Sequence, residues 1–252
     1  MIRNAGLALG LVLVTGSLAL AQAPAGGGQR AGGPPPASNL QILPKDMPRE
    51  QLIATMQAIS ASLGVACNYC HVQEGRGGRN DFASDEKQTK KAARGMLVLA
   101  REINAKLPDA VGKPADATTR VGCATCHRGV PIPKQIADIV TDAAASGGSA
   151  AGLAKFKELR AQFYGGQSYD FSDGSLVAIA QRAQTAGKSD DALAYLNANL
   201  EYYPKSARTY VTIGTVKNAK GDKPGAIAAL EKAVELDPNN VQAKTQLEAL
   251  KK

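Results

Sequence analysis

Apolar residues recur at helical spacing in two segments of the first half of the chain. The first segment runs from Arg49 to Leu63 and ends before Gly64, and the second runs from about Asp85 to Leu107, before Pro108. Their apolar stripes consist of Leu52, Met56, Ile59 and Leu63, and of Ala92, Met96, Leu99, Ile103 and Leu107. Spacings of three and four residues predict amphipathic helices, and no segment shows the alternation of a strand. The pattern therefore predicts an all-α fold.

The second half of the chain repeats itself with a period of about 34 residues, over 173–206 and 207–240. The positions in register are Gly187 and Gly221, Ala192 and Ala226, Leu196 and Leu230, and Pro204 and Pro238. This pattern resembles tetratricopeptide (TPR) repeats, which implies two helix pairs, and Val241 to Lys252 is expected to close the array. Because about three repeats are usually needed for stability, we expect this region to dock on the rest of the chain or on a second copy. It serves either as a site for a protein partner or as a structural appendage.

The remaining segments suggest how the chain is divided. Residues 1–21 contain Arg3 and an uncharged apolar run that ends in small residues, which is typical of a cleaved signal peptide. Residues 22–39 are rich in Gly and Pro, a composition that predicts a flexible linker. We expect a cofactor-binding domain over 40–135, a connector with one helix over 136–172, and the repeats over 173–252. An exported, periplasmic protein without a membrane span in its mature form follows.

The charge of the chain is basic, with a formal net charge of +8. No basic run with interleaved aromatic residues is present, so the charge does not indicate nucleic-acid binding. Arg and Lys side chains can instead balance acidic groups of a bound cofactor.

The four cysteines form two pairs, and each pair is followed directly by a histidine. The first attachment motif is CNYCH at 67–71 and the second is CATCH at 123–127, and they contain the only two His residues of the chain. In C-x-x-C-H, the two thiols bond to the vinyl groups of one haem while the imidazole becomes the proximal iron ligand. The sequence therefore predicts two covalent c-type haems, attached through Cys67, Cys70, Cys123 and Cys126 and ligated by His71 and His127.

Two other interpretations of the cysteines remain open. A structural zinc site could use the four thiols, and a thioredoxin-like dithiol could use one pair. A zinc site leaves both histidines unexplained, and the dithiol needs a βαβ setting that the sequence lacks. The haem interpretation uses all six residues.

The sixth iron position cannot be filled by a histidine of this chain, because both are proximal ligands. It is filled by Met, by a weaker side chain, or by nothing. Met47, Met56 and Met96 remain after signal cleavage, and Met47 lies beside Pro48 in a poorly fixed position. Met56 and Met96 each lie on a predicted helix upstream of an attachment motif, so they are the expected distal ligands. The alternative is that both fill gaps in an apolar core.

Three stretches resemble the cytochrome c subunit of photosynthetic reaction centres. They are MQAISASLGVACNYCHV at 56–72, FASDEKQTKKAARGMLVLAREIN at 82–104 and VGCATCHRGVPIP at 121–133. The resemblance covers about residues 49–134. It implies that Met56 ligates the first haem and Met96 the second. Photosynthetic members of the family carry four attachment motifs and this chain carries two, so a role in another exported electron-transfer chain is expected.

The expected function is transfer of single electrons between a redox donor and an acceptor, without catalysis. One alternative is a haem enzyme acting on peroxide or a small ligand, which needs an open or labile axial position. Another is a TPR interaction protein in which the haems are structural. A low-spin spectrum favours the carrier and a high-spin spectrum the enzyme.

Overall fold

The computed structural model describes residues 37–75 and 77–252, and the regular structure of these residues is almost entirely helical, as predicted. The helices are α1 Arg49–Leu63, α2 Gln88–Val111, α3 Cys123–His127, α4 Ile136–Phe163, α5 Asp173–Thr185, α6 Ser189–Tyr202, α7 Ala207–Ala219, α8 Lys223–Leu236 and α9 Val241–Lys251. None of the described helices has the length and hydropathy to cross a membrane. The predicted signal peptide and most of the linker lie outside the described residues.

Helix α1 has the bounds that its apolar stripe predicts. It begins after Pro48 and ends at Gly64, which has the left-handed φ of 64° that favours glycine. The N–H groups of Gly64 and Val65 donate to the carbonyls of Ala61 and Ser60, so the last turn is closed by backbone hydrogen bonds.

Helix α2 differs from the prediction at both ends. It begins at Gln88 rather than Asp85, because Asp85 lies in the preceding loop and pairs there with Lys90 and Arg94. It continues through Pro108 to Val111. A proline in the last turn removes only one backbone hydrogen bond, and Gly112 supplies a left-handed cap one turn later.

A short hairpin, which the sequence did not predict, joins the first attachment motif to α2. Strands β1 (Val72–Gln73) and β2 (Asn80–Asp81) pair antiparallel, with Val72 opposite Asp81. A side chain at Gly78 would place its Cβ 1.6 Å from the carbonyl oxygen of Glu74, so only glycine fits this turn. The hairpin is too short to show an alternating pattern in the sequence.

The C-terminal repeats form two helix pairs, α5 with α6 and α7 with α8, and α9 packs on the last pair. The positions that matched in sequence also match in environment. Ala192 and Ala226 are both fully buried, as are Leu196 and Leu230. The chain reverses at Gly187 and Gly221, whose φ angles are 75° and 82°. Small residues where the helices cross let the helices approach closely. The 34-residue repeat in the sequence therefore corresponds to a repeat in how the helices pack.

The connector helix α4 completes the core of the repeats. Ile136, Val140 and Phe156 of α4 belong to the same buried cluster as Leu176 and Leu196. The sequence predicted one helix in the connector, and α4 begins at its first residue, Ile136, and is interrupted by Gly147 and Gly148. The two short repeats thus gain a packing layer from the connector.

The two halves of the described chain differ in how they bury apolar side chains. Every buried hydrophobic residue in the described ranges lies at Val130 or beyond. Within residues 37–75 and 77–129, Lys90 is the only buried residue. The segments that carry the attachment motifs therefore lack an apolar core made of their own side chains.

We expect Gly214→Ala to destabilise the repeats by about 1–3 kcal/mol, the range typical of overpacking. The new Cβ would lie 2.7 Å from Cγ of Leu230, which is fully buried and cannot move aside. Thermal unfolding followed by circular dichroism measures the effect. Gly95→Ala is the control, because a Cβ at this α2 position has no neighbour within 4 Å. It should be neutral or stabilising by up to about 1 kcal/mol, and equal destabilisation by both changes would contradict the packing argument.

Candidate haem-attachment site

The first attachment motif folds as a tight turn. Cys67–Tyr69 form one turn of 3-10 helix, and the N–H of His71 donates to the carbonyl of Cys67 over 3.0 Å. Cys67 is exposed and Cys70 is partly buried, and neither forms a disulfide. Burial is the main cause that raises the pKa of the Cys70 thiol. The motif thus presents two thiols and an imidazole within five residues.

The second attachment motif is the whole of the short helix α3. It begins after Gly122, whose N–H donates to Oγ1 of Thr125 over 3.0 Å. Cys123 and Cys126 are three residues apart on a helical turn, so their side chains lie on the same side. The helix ends because Arg128 and Gly129 both adopt positive φ angles, 47° and 85°. This spacing suits attachment to two positions on one edge of a ring.

The two motif histidines have different surroundings. Nδ1 of His127 lies 3.0 Å from the carbonyl oxygen of Val130. A carbonyl can only accept, so this contact places the proton on Nδ1 and leaves Nε2 free for a metal. Nδ1 of His71 is buried without a hydrogen-bond partner in the described part of the chain, and its ring packs edge-on against Phe82 at 4.9 Å. Burial and then the charge of Lys90 lower the pKa of His71, which favours the neutral imidazole that binds iron.

Helix α1 is joined to the second attachment motif, although the first motif follows it in sequence. The N–H of Gly129 donates to the carbonyl of Ser62 over 2.9 Å. A Cβ at Gly64 would lie 2.2 Å from the carbonyl oxygen of Gly129. Two backbones therefore meet at van der Waals distance, and α1 packs against α3.

Helix α2 is tied by polar side chains to the first attachment motif and to the segment just before the second. Near its start, Oγ1 of Thr89 donates to the carbonyl of Tyr69 over 2.6 Å, inside the first motif. Further along, Asn104 donates to the carbonyl of Val121 and accepts from its N–H, at 2.8 and 2.7 Å. Thr89 and Asn104 are about 22 Å apart along the helix. The helix thus spans the distance between the two motifs.

Met96 lies between these two ties on α2 and on the same face as Thr89, since seven residues make nearly two turns. Met96 is 46% exposed, and Leu99 and Ile103 beside it are also exposed. Met56 is half-buried on the stripe of α1. The predicted distal ligands thus lie on two helices that polar contacts connect to the attachment motifs.

These residues fit a haem at each motif. The donors are paired thiols with an adjacent imidazole, and the neighbouring helices present apolar side chains and a thioether that a porphyrin face can cover. Within the described ranges, no three His, Cys, Asp or Glu side chains come together to hold a metal ion.

The sequence did not reveal the role of Lys90. Its ammonium group is buried and donates to the carbonyls of Phe82, Ala83 and Ser84 at 2.7–3.1 Å. It also pairs with Asp85 at 3.1 Å. Hydrogen bonds from Asn39, Lys90 and Arg94 hold the pKa of Asp85 well below its usual range. Lys90 thereby fixes the loop that places Phe82 against His71. The spacing of Lys90 from Arg94 on α2 is the only sequence feature that could have suggested this role.

The C-terminal repeats form a separate concave surface. A groove of about 400 Å³ lies at α5, α7 and the start of α9. Its lining combines the apolar Val177, Ala178 and Val211 with the polar Gln181, Arg208, Thr212, Asn240 and Gln242. It lies outside the region of the attachment motifs.

Comparison with known proteins gives one family match. The family described as photosynthetic reaction centre cytochrome C subunit matches residues 21–171. Cytochrome c-554 of Chloroflexus aurantiacus is 42% identical over 98 residues, which are 38% of this chain and 22% of that protein. The photosynthetic reaction center cytochrome c subunit of Thermochromatium tepidum is 39% identical over 98 residues, covering 38% and 21%. The chain thus spans about a fifth of the length of these relatives.

Among solved structures, the chain is similar to the first TPR of Spaghetti (RPAP3) bound to an HSP90 peptide. The TM-score is 0.33 at 15% identity, over 46% of this chain and 87% of that chain. A likeness this weak carries no argument, and the repeat assignment stands on the helix pairs themselves.

We expect Asn104→Ala to loosen the segment between α2 and the second attachment motif. The change leaves the N–H and carbonyl of Val121 without partners, at a cost of about 1–3 kcal/mol. Limited trypsin digestion should then cleave faster after Arg120, next to Val121. Glu102→Gln, an exposed change on the same helix, is the control. Unchanged cleavage in Asn104→Ala would show that the tie does not hold this segment.

Proposed function

The chain belongs to the photosynthetic reaction centre cytochrome c subunit family, and on this premise we propose that it is an exported carrier of single electrons with two covalent haems. The observation that carries the proposal is the pair of C-x-x-C-H motifs, which contain every Cys and every His of the chain. When bound, haem supplies reversible one-electron chemistry at its iron. The residues of this chain attach it, ligate it and exclude water from it.

In this proposal each attachment motif holds one haem. Cys67 and Cys70 form thioether bonds at the first motif, and His71 is the proximal ligand. Cys123, Cys126 and His127 have the same roles at the second. The hydrogen bond from Nδ1 of His127 to the carbonyl of Val130 supports the role of that histidine, because it orients Nε2 and makes the ring a stronger donor.

The distal ligands in this proposal are Met56 for the first haem and Met96 for the second. Their positions on helices connected to the attachment motifs support this assignment. With a histidine and a methionine as ligands, neither iron would offer an open position to a substrate, so electron transfer is favoured over peroxide or small-ligand chemistry. Thioether ligation also raises the reduction potential relative to a second imidazole.

The sequence supports a proposal for the location of the chain and for the class of its partners. The apolar N-terminal segment supports export to an oxidising compartment, where the chain meets its redox donor and acceptor. Two attachment motifs, where photosynthetic members carry four, favour an electron-transfer chain other than a photosynthetic one. The groove of the repeats supports a second role, in which a protein partner binds the C-terminal region.

Visible spectra of the exported protein and of methionine variants test the proposal. We expect two haems per chain and a low-spin spectrum. Met56→Ala and Met96→Ala should each convert one haem to a high-spin form, because each removes one axial ligand. Met47→Ala is the control and should leave the spectrum unchanged.

Other outcomes separate the alternatives. A high-spin haem in the unmodified protein would favour a haem enzyme. Low-spin spectra in both methionine variants would show that Met56 and Met96 are not iron ligands. Zinc or free thiols without haem would contradict the proposal.

A further inference from the structure

Helix α1 is positioned by the second attachment segment, the residues Cys123 to Val130, rather than by the first attachment motif. The junction consists of the hydrogen bond from Gly129 N–H to Ser62 O, at 2.9 Å, and the close approach of Gly64 to Gly129. No side chain of α1 is buried, so this junction is a principal constraint on where the helix lies. Met56 is two turns upstream of it on the same helix, at a distance of about 9 Å.

The second attachment segment is itself fixed from the C-terminal side. Oγ of Ser168 donates to the carbonyl of Arg128 over 2.7 Å. Val130 is 5% exposed and its N–H donates to the carbonyl of His127. The Ser168 contact connects the segment to the chain beyond α4, next to the region that carries the buried core. A displacement at the junction is therefore taken up by α1, which lacks such a core.

We propose that the contact between Gly64 and Gly129 positions Met56 over the first haem, so that the distal ligation of one haem depends on the attachment segment of the other. The inference rests on the proposed function, because it assumes that Met56 is a ligand. Gly64 and Gly129 are positioning residues in this proposal, because they act through the placement of α1. A rigid helix transmits a shift of its C-terminal cap to Met56, and iron ligation tolerates little displacement.

The chain offers a matched pair of variants for this test. Gly64 and Gly112 both cap a helix and share φ 64° and ψ 34°. An alanine at either position carries the same backbone strain. A Cβ at Gly64 meets the carbonyl oxygen of Gly129 at 2.2 Å, whereas a Cβ at Gly112 has no neighbour within 4 Å. The clash at Gly64 is with backbone, so no side-chain rotation relieves it.

The experiment compares the full-length holoproteins of Gly64→Ala and Gly112→Ala with the unmodified chain. The readouts are the haem-to-protein ratio, the near-infrared sulfur-to-iron band and the two reduction potentials. In Gly64→Ala we expect two haems per chain, loss of about half of the sulfur-to-iron band, and a fall in one potential. The altered haem should be the one that changes in Met56→Ala. Gly112→Ala should keep the full band and both potentials.

Three outcomes would overturn the inference. These are a full band in Gly64→Ala, the same loss in Gly112→Ala, or a change at the haem that responds to Met96→Ala. A failure of the proposed function is recognised separately, because Met56→Ala itself would then leave the spectrum unchanged.

Hydrogen exchange tests the same coupling if Gly64→Ala does not fold. Coupling between two sites is reciprocal, so removing the ligand at Met56 should loosen the junction. The amide of Gly129, which donates to Ser62, should exchange several-fold faster in Met56→Ala than in Met47→Ala. Equal exchange rates in the two variants would overturn the inference.

Discussion

The absence of buried apolar side chains in the described residues before Val130 is the constraint on which the cofactor-binding half depends. Helices α1 and α2 bury no apolar side chain, and the apolar side chains beside Met96 on α2 are exposed to solvent. A domain without a core of its own gains little from the hydrophobic effect, which is the largest favourable contribution to folding. In our proposal, two covalently bound porphyrins supply the apolar surface that these helices cover. The C-x-x-C-H motifs are then structural as well as functional.

Polar contacts determine how these segments are arranged. The side chains of Thr89 and Asn104 fix α2 to residues of the first motif and to the segment before the second, while Gly129 joins α1 to the second. Lys90 holds the loop that carries Phe82 against His71. Such contacts add modest stability individually, but they are directional, and directional contacts suit a site that must hold axial ligands in place.

The sequence predicted the helices well where a periodic pattern or a glycine marks them. Met56 and its stripe gave the bounds of α1, and the 34-residue period gave both repeat pairs, because equivalent positions such as Leu196 and Leu230 have equivalent burial. The predicted end of α2 before Pro108 was wrong, because a proline in the last turn of a helix removes only one backbone hydrogen bond.

Contacts between residues far apart in the chain could not be predicted from the sequence. The motifs identified the cysteines and histidines, but the meeting of Gly64 with Gly129 joins positions that are far apart in the chain. The role of Lys90 depends on three carbonyls of a loop that has no sequence signature. The contribution of α4 to the repeat core also depends on tertiary packing, because its Gly147–Gly148 break hides the helix from a periodicity analysis.

The central claim is that the chain carries two covalent haems, and the mass of the intact, denatured protein tests it most directly. The protein is exported from a host that matures c-type cytochromes, unfolded, and freed of any non-covalent ligand before its mass is measured. The account predicts the mass of the processed chain plus two haems. A mass that corresponds to the chain alone, or to one haem, would contradict it.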